Sequence, residues 1–333
     1  MHFLKCGKIF GMNHLQVAVL RGGPSEEYHI SMKTGHAVLE ALAKSGYRTK
    51  DIIISKQGEW LERGLVRAPE NTLDAVDVVF IALHGAFGED GEVQKIIQRL
   101  GIPFTGSRSF ASALAFNKNM TKEALKKHEV LMPEDVLVTI DDIDELISIA
   151  ANINDSFGPE YIIKPVASGS SFGVEHVHLG QSLSEALAES LHNYDRVLVE
   201  EFIRGKEATS AVLENFRDDS LYVFPAVEII PSRDFQYFTT QAKYDGSTIE
   251  ICPARFSYGE RDTINSVSAL VHDILNLSQY SRSDFIIGEK GVYFLEVNTL
   301  PGLTPQSLYP KATASVGLEL QQLVDHLVNT ANC

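Results

Sequence analysis

The stretch DFIIGEKGVYFLEVNTLPG, residues 284–302, contains two apolar segments separated by the tetrad Gly288–Gly291. A glycine-rich turn between two apolar segments is typical of a β-hairpin. Because side chains alternate along a strand, Glu296 and Asn298 are expected on one face. A turn centred in the tetrad brings Asp284 roughly opposite Glu296. The stretch therefore predicts a hairpin on which three oxygen-bearing side chains converge.

Two carboxylates and an amide oxygen in one place have a chemical interpretation and a plain one. They suit a hard cation such as Mg²⁺, which is held by a few carboxylates and completed by water and substrate phosphates. They also suit the solvated face of an ordinary hairpin. The hairpin alone does not decide between the two, so the rest of the chain must supply a partner for such a cation.

Length and charge narrow the class of protein. A chain of 333 residues predicts two or three domains. A formal net charge of −15 argues against nucleic acid as a partner, because phosphate backbones attract basic faces. It does not exclude nucleotides, since a cation and a few lysines can act locally. No apolar run reaches the roughly 18 residues typical of a membrane span, so no membrane partner is expected.

The cysteines and the first residues indicate the compartment. Cys6, Cys252 and Cys333 are far apart and lack metal-ligand spacing, which favours a reducing compartment without disulfides. Residues 1–14 include no apolar core of signal-peptide length and are predicted to be a disordered leader, with Met12 as an alternative start. We expect a cytoplasmic protein.

The first part of the chain alternates between buried strands and amphipathic helices. Strands are predicted near residues 17–20, 52–54, 78–83 and 102–105, and helices near 31–44 and 92–100. Continuous apolar strands are typical of a parallel sheet covered on both faces. Residues 15–112 are therefore predicted to form a parallel α/β domain.

The pattern changes after Asn117. Strands near residues 161–165 and 174–179 are joined by a Gly/Ser loop and flanked by helices, which predicts an α+β unit over residues 113–203. Several strands, a long helix near 261–277, the hairpin and a final helix near 318–331 follow in a third unit, residues 204–333. The predicted fold class is a multi-domain α/β protein with two α+β units after the first domain.

Two lysines and a glycine-rich loop could hold phosphates. The loop Gly169–Gly173 lies between two strands, where backbone N–H groups and hydroxyls can cradle anionic oxygens, although a plain hairpin turn would also explain it. Lys118 and Lys164 lie beside apolar segments, where a structural lysine is uncommon, but each could also be an exposed solubilising residue. Glu200 ends an apolar strand before Phe202, a combination that suits a purine–ribose pocket.

Two further loops follow predicted parallel strands. The segments Gly22–Glu27 and His84–Gly91 come after the first strand and after the strand near 78–83. In open α/β sheets, ligands bind beyond the carboxyl ends of the strands. His84 and Glu27 could therefore face one cleft, although a lone histidine is more often structural.

Taken in order, these segments resemble the D-alanine–D-alanine ligases of the ATP-grasp superfamily over residues 17–317. The motifs that carry the resemblance are LRGGPSEEYHIS, ALHGAFGEDGEVQ, FNKNMTK, IIKPVASGSSFGV, VLVEEFIRGKE, AKYDGSTIEICPA, and SRSDF with LEVNTLPGLTPQSLYP. The resemblance implies an ATP-grasp fold of two α+β subdomains behind the N-terminal domain, with ATP clasped between the two. It also implies ligation of two D-alanines through an acyl phosphate, in peptidoglycan precursor synthesis, by a possible homodimer.

The resemblance assigns roles by motif. Those for ATP are Lys118, Lys164, Ser171, Glu200, Phe202, Ile203, Glu207 and Lys243, and those for two Mg²⁺ or Mn²⁺ ions are Asp284, Glu296 and Asn298. Those for catalysis are Glu27, Ser170, Tyr244, Arg282 and Gly302, and those for substrate are His84, Ser307 and Leu308. Arg282 and the Gly302 N–H would stabilise the oxyanion, and Glu27 would hold the ammonium of the first D-alanine. Ser307 would meet the carboxylate of the second.

Two departures from the family pattern affect these expectations. The run YFTTQAKY, residues 237–244, replaces one that is usually rich in aromatic and acidic residues, so the outer contacts of the lid are open. Asn117 stands where an aspartate is common. The retained Tyr244 favours D-alanine as second substrate, because depsipeptide-forming relatives tend to change that position; D-lactate and D-serine are the alternatives.

Three other classes of protein fit the sequence less well. A non-catalytic ATP-binding regulator would tend to lose a metal ligand or the oxyanion arginine, yet Arg282 and Asp284 are both present. An ATP-grasp ligase for other amino acids would not need matching substrate loops. A dinucleotide-dependent dehydrogenase lacks the expected GxGxxG after the first strand.

Overall fold

The computed structural model describes residues 15–169, 172–231 and 248–331, and they form three sheets with helices packed against them. The predicted leader, residues 1–14, lies outside the described residues. Within the described ranges, no helix has both the length and the apolar character needed to cross a bilayer.

The first sheet has the order β4-β3-β2-β1-β5. Its strands are Gln16–Gly22 (β1), Arg48–Ile54 (β2), Trp60–Glu62 (β3), Leu65–Val66 (β4) and Val78–Ile81 (β5). The helices of this region are Tyr28–Lys44 (α1), Pro69–Thr72 (α2), Glu92–Leu100 (α3) and Ser109–Phe116 (α4). Strands β2, β1 and β5 are parallel as predicted, but β3 and β4 extend the sheet in antiparallel fashion. The strand expected near residues 102–105 is reduced to a single parallel bridge between Val79 and Phe104.

The second sheet, which we call the lid sheet, is antiparallel with the order β6-β9-β7-β8. Its strands are Asp135–Thr139 (β6), Tyr161–Pro165 (β7), Glu175–Val177 (β8) and Arg196–Glu201 (β9), and the neighbouring helices are Lys118–Leu125 (α5), Leu146–Phe157 (α6) and Leu183–Asn193 (α7). Ile163, Val177 and Val199 bury one face in an apolar cluster that also includes residues of α6 and α7. The opposite face carries Lys164 and Glu200, because side chains alternate across a strand.

The third sheet, which we call the floor sheet, is also antiparallel, with the order β13-β12-β10-β14-β15 and β11 beside β10. Its strands are Lys206–Phe216 (β10), Asp219–Val223 (β11), Val227–Ile230 (β12), Ile249–Ile251 (β13), Tyr280–Gly288 (β14) and Gly291–Asn298 (β15). The accompanying helices are Tyr258–Ile274 (α8), Leu308–Ala314 (α9) and Leu320–Asn329 (α10). Helix α9 was not predicted from the sequence. A serine–glutamate capping box at Ser257 and Glu260 begins α8.

The predicted hairpin is present as β14 and β15, and its register contains an irregularity. Gly288 pairs with Gly291 and Phe285 with Phe294, whereas Asp284 pairs with Glu296. One extra residue, Leu295, is therefore accommodated between the last two pairs as a β-bulge. The observed pairing confirms the prediction that Asp284 lies opposite Glu296.

The bulge changes which residues of β15 face the apolar cluster. Phe294 and Val297 are both buried in the cluster beneath the sheet, although they are three residues apart. Strict alternation would have placed Glu296 on that buried face with Phe294. Because Leu295 is bulged, Glu296 and Asn298 instead share the opposite face with Asp284.

The first sheet and the floor sheet are joined by one continuous apolar cluster. Leu42 of α1, Tyr309 of α9 and Leu327 of α10 all belong to it. The hydroxyl of Tyr47 also donates a 2.5 Å hydrogen bond to Asp325. The lid sheet has a separate cluster between Val138 and Val199. The domain boundaries 15–112, 113–203 and 204–333 remain predictions, since packing alone does not fix where one unit ends.

Candidate active site

The polar face of the hairpin is organised around Asp284. Its Oδ1 accepts hydrogen bonds from Thr209 Oγ1 at 2.6 Å and Arg282 Nε at 3.0 Å. Its Oδ2 accepts from Arg282 Nη2 at 2.8 Å and Asn298 Nδ2 at 3.4 Å. Burial works against the charge of Arg282, but Asp284 and then Glu296 raise its pKa. The predicted oxyanion donor is thus held permanently charged beside the predicted metal ligands.

Lys118 connects this face to the lid. It is the first residue of α5, and its Nζ lies 3.3 Å from Glu296 Oε2 while donating to the carbonyl of Ser168 at 2.7 Å. Its backbone N–H bonds the Val166 carbonyl at 2.9 Å. Asn117 caps the helix by accepting from the Met120 N–H at 3.0 Å, so the asparagine performs the capping role that an aspartate would also serve.

Lys164 lies on the lid sheet and pairs with the buried Glu200 at 2.6 Å. Glu200 also meets Lys122, whose Nζ is 3.0 Å from Oε1 and 2.8 Å from Asp135 Oδ1. Burial would raise the pKa of Glu200, but Lys164 and Lys122 together hold it below its usual range. Burial likewise opposes the charge of Lys164, yet Glu200 raises its pKa overall. Sequence reasoning missed Lys122, which looks like a surface residue of a charged helix.

The remaining residues expected around the nucleotide base lie where the lid and floor sheets approach each other. Phe202 directly follows β9, and the Arg204 guanidinium lies over its ring at 5.2 Å. Ile203 packs closely against Gly288 at the turn of the hairpin. A Cβ on Gly288 would lie 2.8 Å from Ile203 Cγ2. Glu207 is half-buried on β10, two residues before Thr209 and therefore on the same face.

His84 and Glu27 lie in one cleft at the carboxyl ends of β5 and β1, as expected. His84 Nε2 is 2.9 Å from Thr34 Oγ1, and its Nδ1 is 2.9 Å from the Leu300 carbonyl oxygen. Burial lowers the pKa of His84, against the opposing effect of Glu27. Glu27 is 8 % exposed. A Cβ on Gly169 would lie 2.3 Å from Glu27 Oε2, so the predicted phosphate loop approaches this carboxylate at Gly169.

Glu89 is a second buried carboxylate in this cleft that sequence reasoning did not single out. Its Oε2 accepts from the Gly85 N–H at 2.8 Å, and its Oε1 accepts from the Leu300 N–H at 3.3 Å. It thereby ties the loop after β5 to the loop after β15. Burial, followed by the nearby charge of Glu27, raises the pKa of Glu89 to about 8. The motif ALHGAFGEDGEVQ contained this residue, but its environment depends on a segment more than two hundred positions away.

The predicted substrate residues lie around a cleft of about 1450 Å³. Of the predicted site residues, it is lined by Glu27, His84, Arg282, Glu296, Asn298, Gly302, Ser307 and Leu308. Ser307 precedes α9, and its Oγ lies 2.8 Å from Thr304 Oγ1. A Cβ on Gly302 would be 2.9 Å from Ser307 Oγ, so the backbone at Gly302 approaches that hydroxyl closely. Ser170, Ser171, Lys243 and Tyr244 lie outside the described residues.

The fold and the site define a class of protein. An N-terminal α/β domain precedes two α+β units, and the lid and floor sheets present lysines and oxygen ligands toward one cleft, which is the ATP-grasp architecture. The sequence identifies the family within this class. The family model for the D-ala D-ala ligase C-terminus matches residues 125–329, and the family model for the D-ala D-ala ligase N-terminus matches residues 16–72 and 64–107. The chain belongs to the D-alanine–D-alanine ligase family, which confirms the resemblance.

Similar proteins cover nearly the whole chain. A D-alanine–D-alanine ligase of Syntrophotalea carbinolica is 35 % identical over 95 % of this chain and 96 % of its own length. One from Pelotomaculum thermopropionicum is 35 % identical over 96 % and 98 %. Among solved structures, the VanG D-Ala:D-Ser ligase of Enterococcus faecalis matches with a TM-score of 0.80 and 29 % identity over 95 % of this chain and 99 % of its own. The Bacillus anthracis D-alanine–D-alanine ligase complexed with ATP matches with a TM-score of 0.75 and 27 % identity over 96 % and 97 %.

The Lys122 substitution tests the charge network of the lid. We expect Lys122→Met to lower the free energy of unfolding by roughly 3–5 kcal/mol, because it removes a partner from buried Glu200. The exposed Lys127→Met is the matched control and should stay within about 0.5 kcal/mol of the unsubstituted protein. Urea denaturation measures both. Equal losses in the two variants would contradict a structural role for the Lys122–Glu200 pair.

The raised pKa of Glu89 has a consequence for stability. Folded Glu89 keeps its proton up to about pH 8, whereas the unfolded chain loses it near the ordinary value of 4.5. The folded state therefore binds more protons across that window, and its stability should fall as the pH rises from 4.5 to about 8. Glu89→Gln should flatten this decline.

Thermal unfolding midpoints measured across the same pH range provide the comparison. The exposed Glu92→Gln serves as the control and should keep the decline seen in the unsubstituted protein. A Glu89→Gln variant whose midpoint falls with pH as steeply as that of the control would show that Glu89 does not titrate in this way.

Proposed function

We propose that this protein joins two D-alanine molecules in an ATP-dependent reaction that yields D-alanyl-D-alanine, ADP and phosphate for peptidoglycan precursors in the cytoplasm. One observation carries the proposal: the floor sheet presents Arg282, Glu296 and Asn298 to a cleft that also contains Glu27 and His84, and Asp284 lies directly opposite Glu296 on the adjacent strand. A nucleotide-binding regulator would need the floor-sheet residues but not Glu27 and His84. The family to which the chain belongs agrees with this reaction.

The hairpin residues fit Mg²⁺ or Mn²⁺. Asp284 and Glu296 offer hard carboxylate oxygens directly opposed across the strands, and the amide oxygen of Asn298 could join them on the same face. Arg282 lies 2.8 Å from Asp284 and Lys118 lies 3.3 Å from Glu296, so each carboxylate already has a cationic partner. When two such ions are bound, they would neutralise the phosphates and favour attack at phosphorus.

The lysines of the lid would contact the triphosphate. Lys118 and Lys164 both lie in the space between the lid sheet and the floor sheet, with side chains about one-tenth exposed. A carboxylate and a triphosphate repel each other, so fixed cations are needed before the two can approach. ATP would displace Lys164 only slightly from Glu200, since an ammonium has three donors. Ser170 and Ser171 are proposed to add hydroxyl and backbone donors.

The reaction would proceed in two balanced steps. A carboxylate oxygen of the first D-alanine attacks the γ-phosphorus of ATP, the bond to the β,γ-bridging oxygen breaks, and ADP leaves an acyl phosphate behind. The amine of the second D-alanine then attacks the acyl carbon and gives up a proton as phosphate departs. Arg282 and the Gly302 N–H would donate to the oxyanion of the tetrahedral intermediate.

The substrate end would orient the two amino acids. Glu27 is a buried carboxylate suited to the ammonium of the first D-alanine, and His84 is fixed beside it by Thr34 and Leu300. Ser307 would meet the carboxylate of the second D-alanine, with Leu308 against its methyl group. Lys243 and Tyr244 are proposed to close over the site and keep water from the acyl phosphate.

One relative favours a second candidate. The VanG structure is described as a D-Ala:D-Ser ligase, and its likeness to this chain spans both proteins. D-serine differs from D-alanine by one hydroxyl, so the second-substrate pocket could accept it. An ADP-release assay with D-alanine as first substrate and D-alanine, D-serine, D-lactate or L-alanine as second distinguishes the candidates. We expect D-alanine to support the highest kcat/KM; faster turnover with D-serine or with D-lactate at neutral pH would overturn the assignment.

Glu296 offers a direct test of the oxygen-ligand face. Glu296→Gln should lower kcat at least about a thousandfold, equal to roughly 4 kcal/mol, because one of the two opposed carboxylates loses its charge. Its free energy of unfolding should change by only about 1 kcal/mol. Glu289→Gln, in the exposed turn of the same hairpin, is the control and should keep normal activity. Product formation by Glu296→Gln at a rate near that of the control would refute the metal assignment.

A further inference from the structure

We propose that Glu160, His176 and His178 form a binding site for a borderline transition-metal ion of the Zn²⁺ class on the lid sheet. One potential ligand atom from each of the three residues lies within 4.8 Å of the other two. None of these residues belongs to the Asp284, Glu296 and Asn298 set, and their donors include two imidazoles. The site is therefore distinct from the proposed Mg²⁺ site in its ligands.

The ladder between β7 and β8 brings the three side chains together. Tyr161 pairs with Val177, and both point into the lid's apolar cluster. Continuing this register by one position sets Glu160 opposite His178, and alternation points both away from that cluster. His176 is two residues before His178 and so shares its face. A His-x-His pair on a strand with a carboxylate across the ladder thus converges on one point.

The donor set selects the kind of ion. Imidazole nitrogens suit Zn²⁺, Cu²⁺ and Ni²⁺ rather than Mg²⁺, and two histidines with one carboxylate are a known zinc set that leaves a fourth position for water. Ligand atoms around a tetrahedral zinc lie roughly 3.4 Å apart, given bonds of about 2.1 Å. The present separations, all within 4.8 Å, would shorten through side-chain rotation when an ion binds. His178 is exposed and free to rotate about its χ angles, whereas His176 is 6 % exposed.

One ligand is held in place by its neighbours. The His176 ring stacks on Phe202 with centroids 4.0 Å apart and planes 23° apart, and it lies 4.0 Å from the His178 ring. The stacked Phe202 ring restrains the orientation of the buried His176 imidazole, so little side-chain entropy would be lost when it binds an ion. Packing of this kind is how metal ligands are commonly pre-oriented.

Arg204 now occupies part of the place that the ion would take. Its guanidinium forms an ion pair with Glu160 and lies over the Phe202 ring. Its side chain is 70 % exposed, so it can move into solvent when a divalent ion replaces it as the partner of Glu160. The proposal therefore predicts competition between Arg204 and the metal for one carboxylate.

Zinc titration by isothermal calorimetry tests the site directly and does not depend on ligase activity. The protein is first stripped with a chelator, Cys6, Cys252 and Cys333 are replaced by serine to remove thiolates, and excess Mg²⁺ fills the oxygen-donor site. We expect one zinc per chain. His178→Gln and His176→Gln should weaken binding at least about tenfold, the lower end of the loss caused by disturbing even outer partners of a metal ligand.

Two further variants sharpen the result. His192→Gln replaces an exposed histidine on α7 of the same unit and should bind zinc as the parent does. Arg204→Gln should bind zinc more tightly, because it frees Glu160 from its guanidinium partner. Circular dichroism verifies that each variant is folded, and exposed His178 is the substitution least able to disturb folding. Absence of stoichiometric binding in the parent, equal affinity in His178→Gln, or no gain in Arg204→Gln would each overturn the three-ligand site.

Discussion

The structure depends on how two opposed carboxylates are tolerated on one face of a hairpin. Asp284 and Glu296 lie directly across a strand pair, where like charges repel. Arg282 on the same strand and Lys118 at the start of α5 offset that repulsion. Because Lys118 also binds the carbonyl of Ser168, the same charge balance that stabilises the floor sheet positions the loop that leads out of the lid sheet.

The lid repeats this arrangement with the signs exchanged. On the floor, Asp284 and Glu296 converge and are neutralised by Arg282 and Lys118; on the lid, Lys164 and Lys122 converge on the buried acid Glu200. Such networks are costly to form but leave charged groups oriented in a low-dielectric cleft before any ligand arrives. A nucleotide entering between the sheets would meet donors on one side and acceptors on the other. The site is thus pre-organised by electrostatics rather than by shape alone.

Much of this was predictable from the sequence, and the failures share a cause. The hairpin, its opposed carboxylates and the His84–Glu27 cleft follow from local patterns of strands and turns. Lys122 and Glu89 were missed because their burial depends on partners at Glu200 and Leu300, which no local pattern reveals. Helix α9 was missed because Pro310 lies within it, although proline is tolerated in a first turn. The antiparallel edge of the first sheet was missed because β3 and β4 are too short to show a period.

The bulge at Leu295 has a consequence for how chain length can vary in this hairpin. Before the bulge, even-numbered residues such as Phe294 face the core; after it, odd-numbered residues such as Val297 do. Adding or removing one residue at the Glu289–Lys290 turn does not change which residues of each strand face the core. The same change between Phe294 and Val297 would exchange the two faces, turning a carboxylate into the apolar layer and a valine toward solvent. A one-residue insertion is therefore compatible with the fold at the turn but not within the bulged segment.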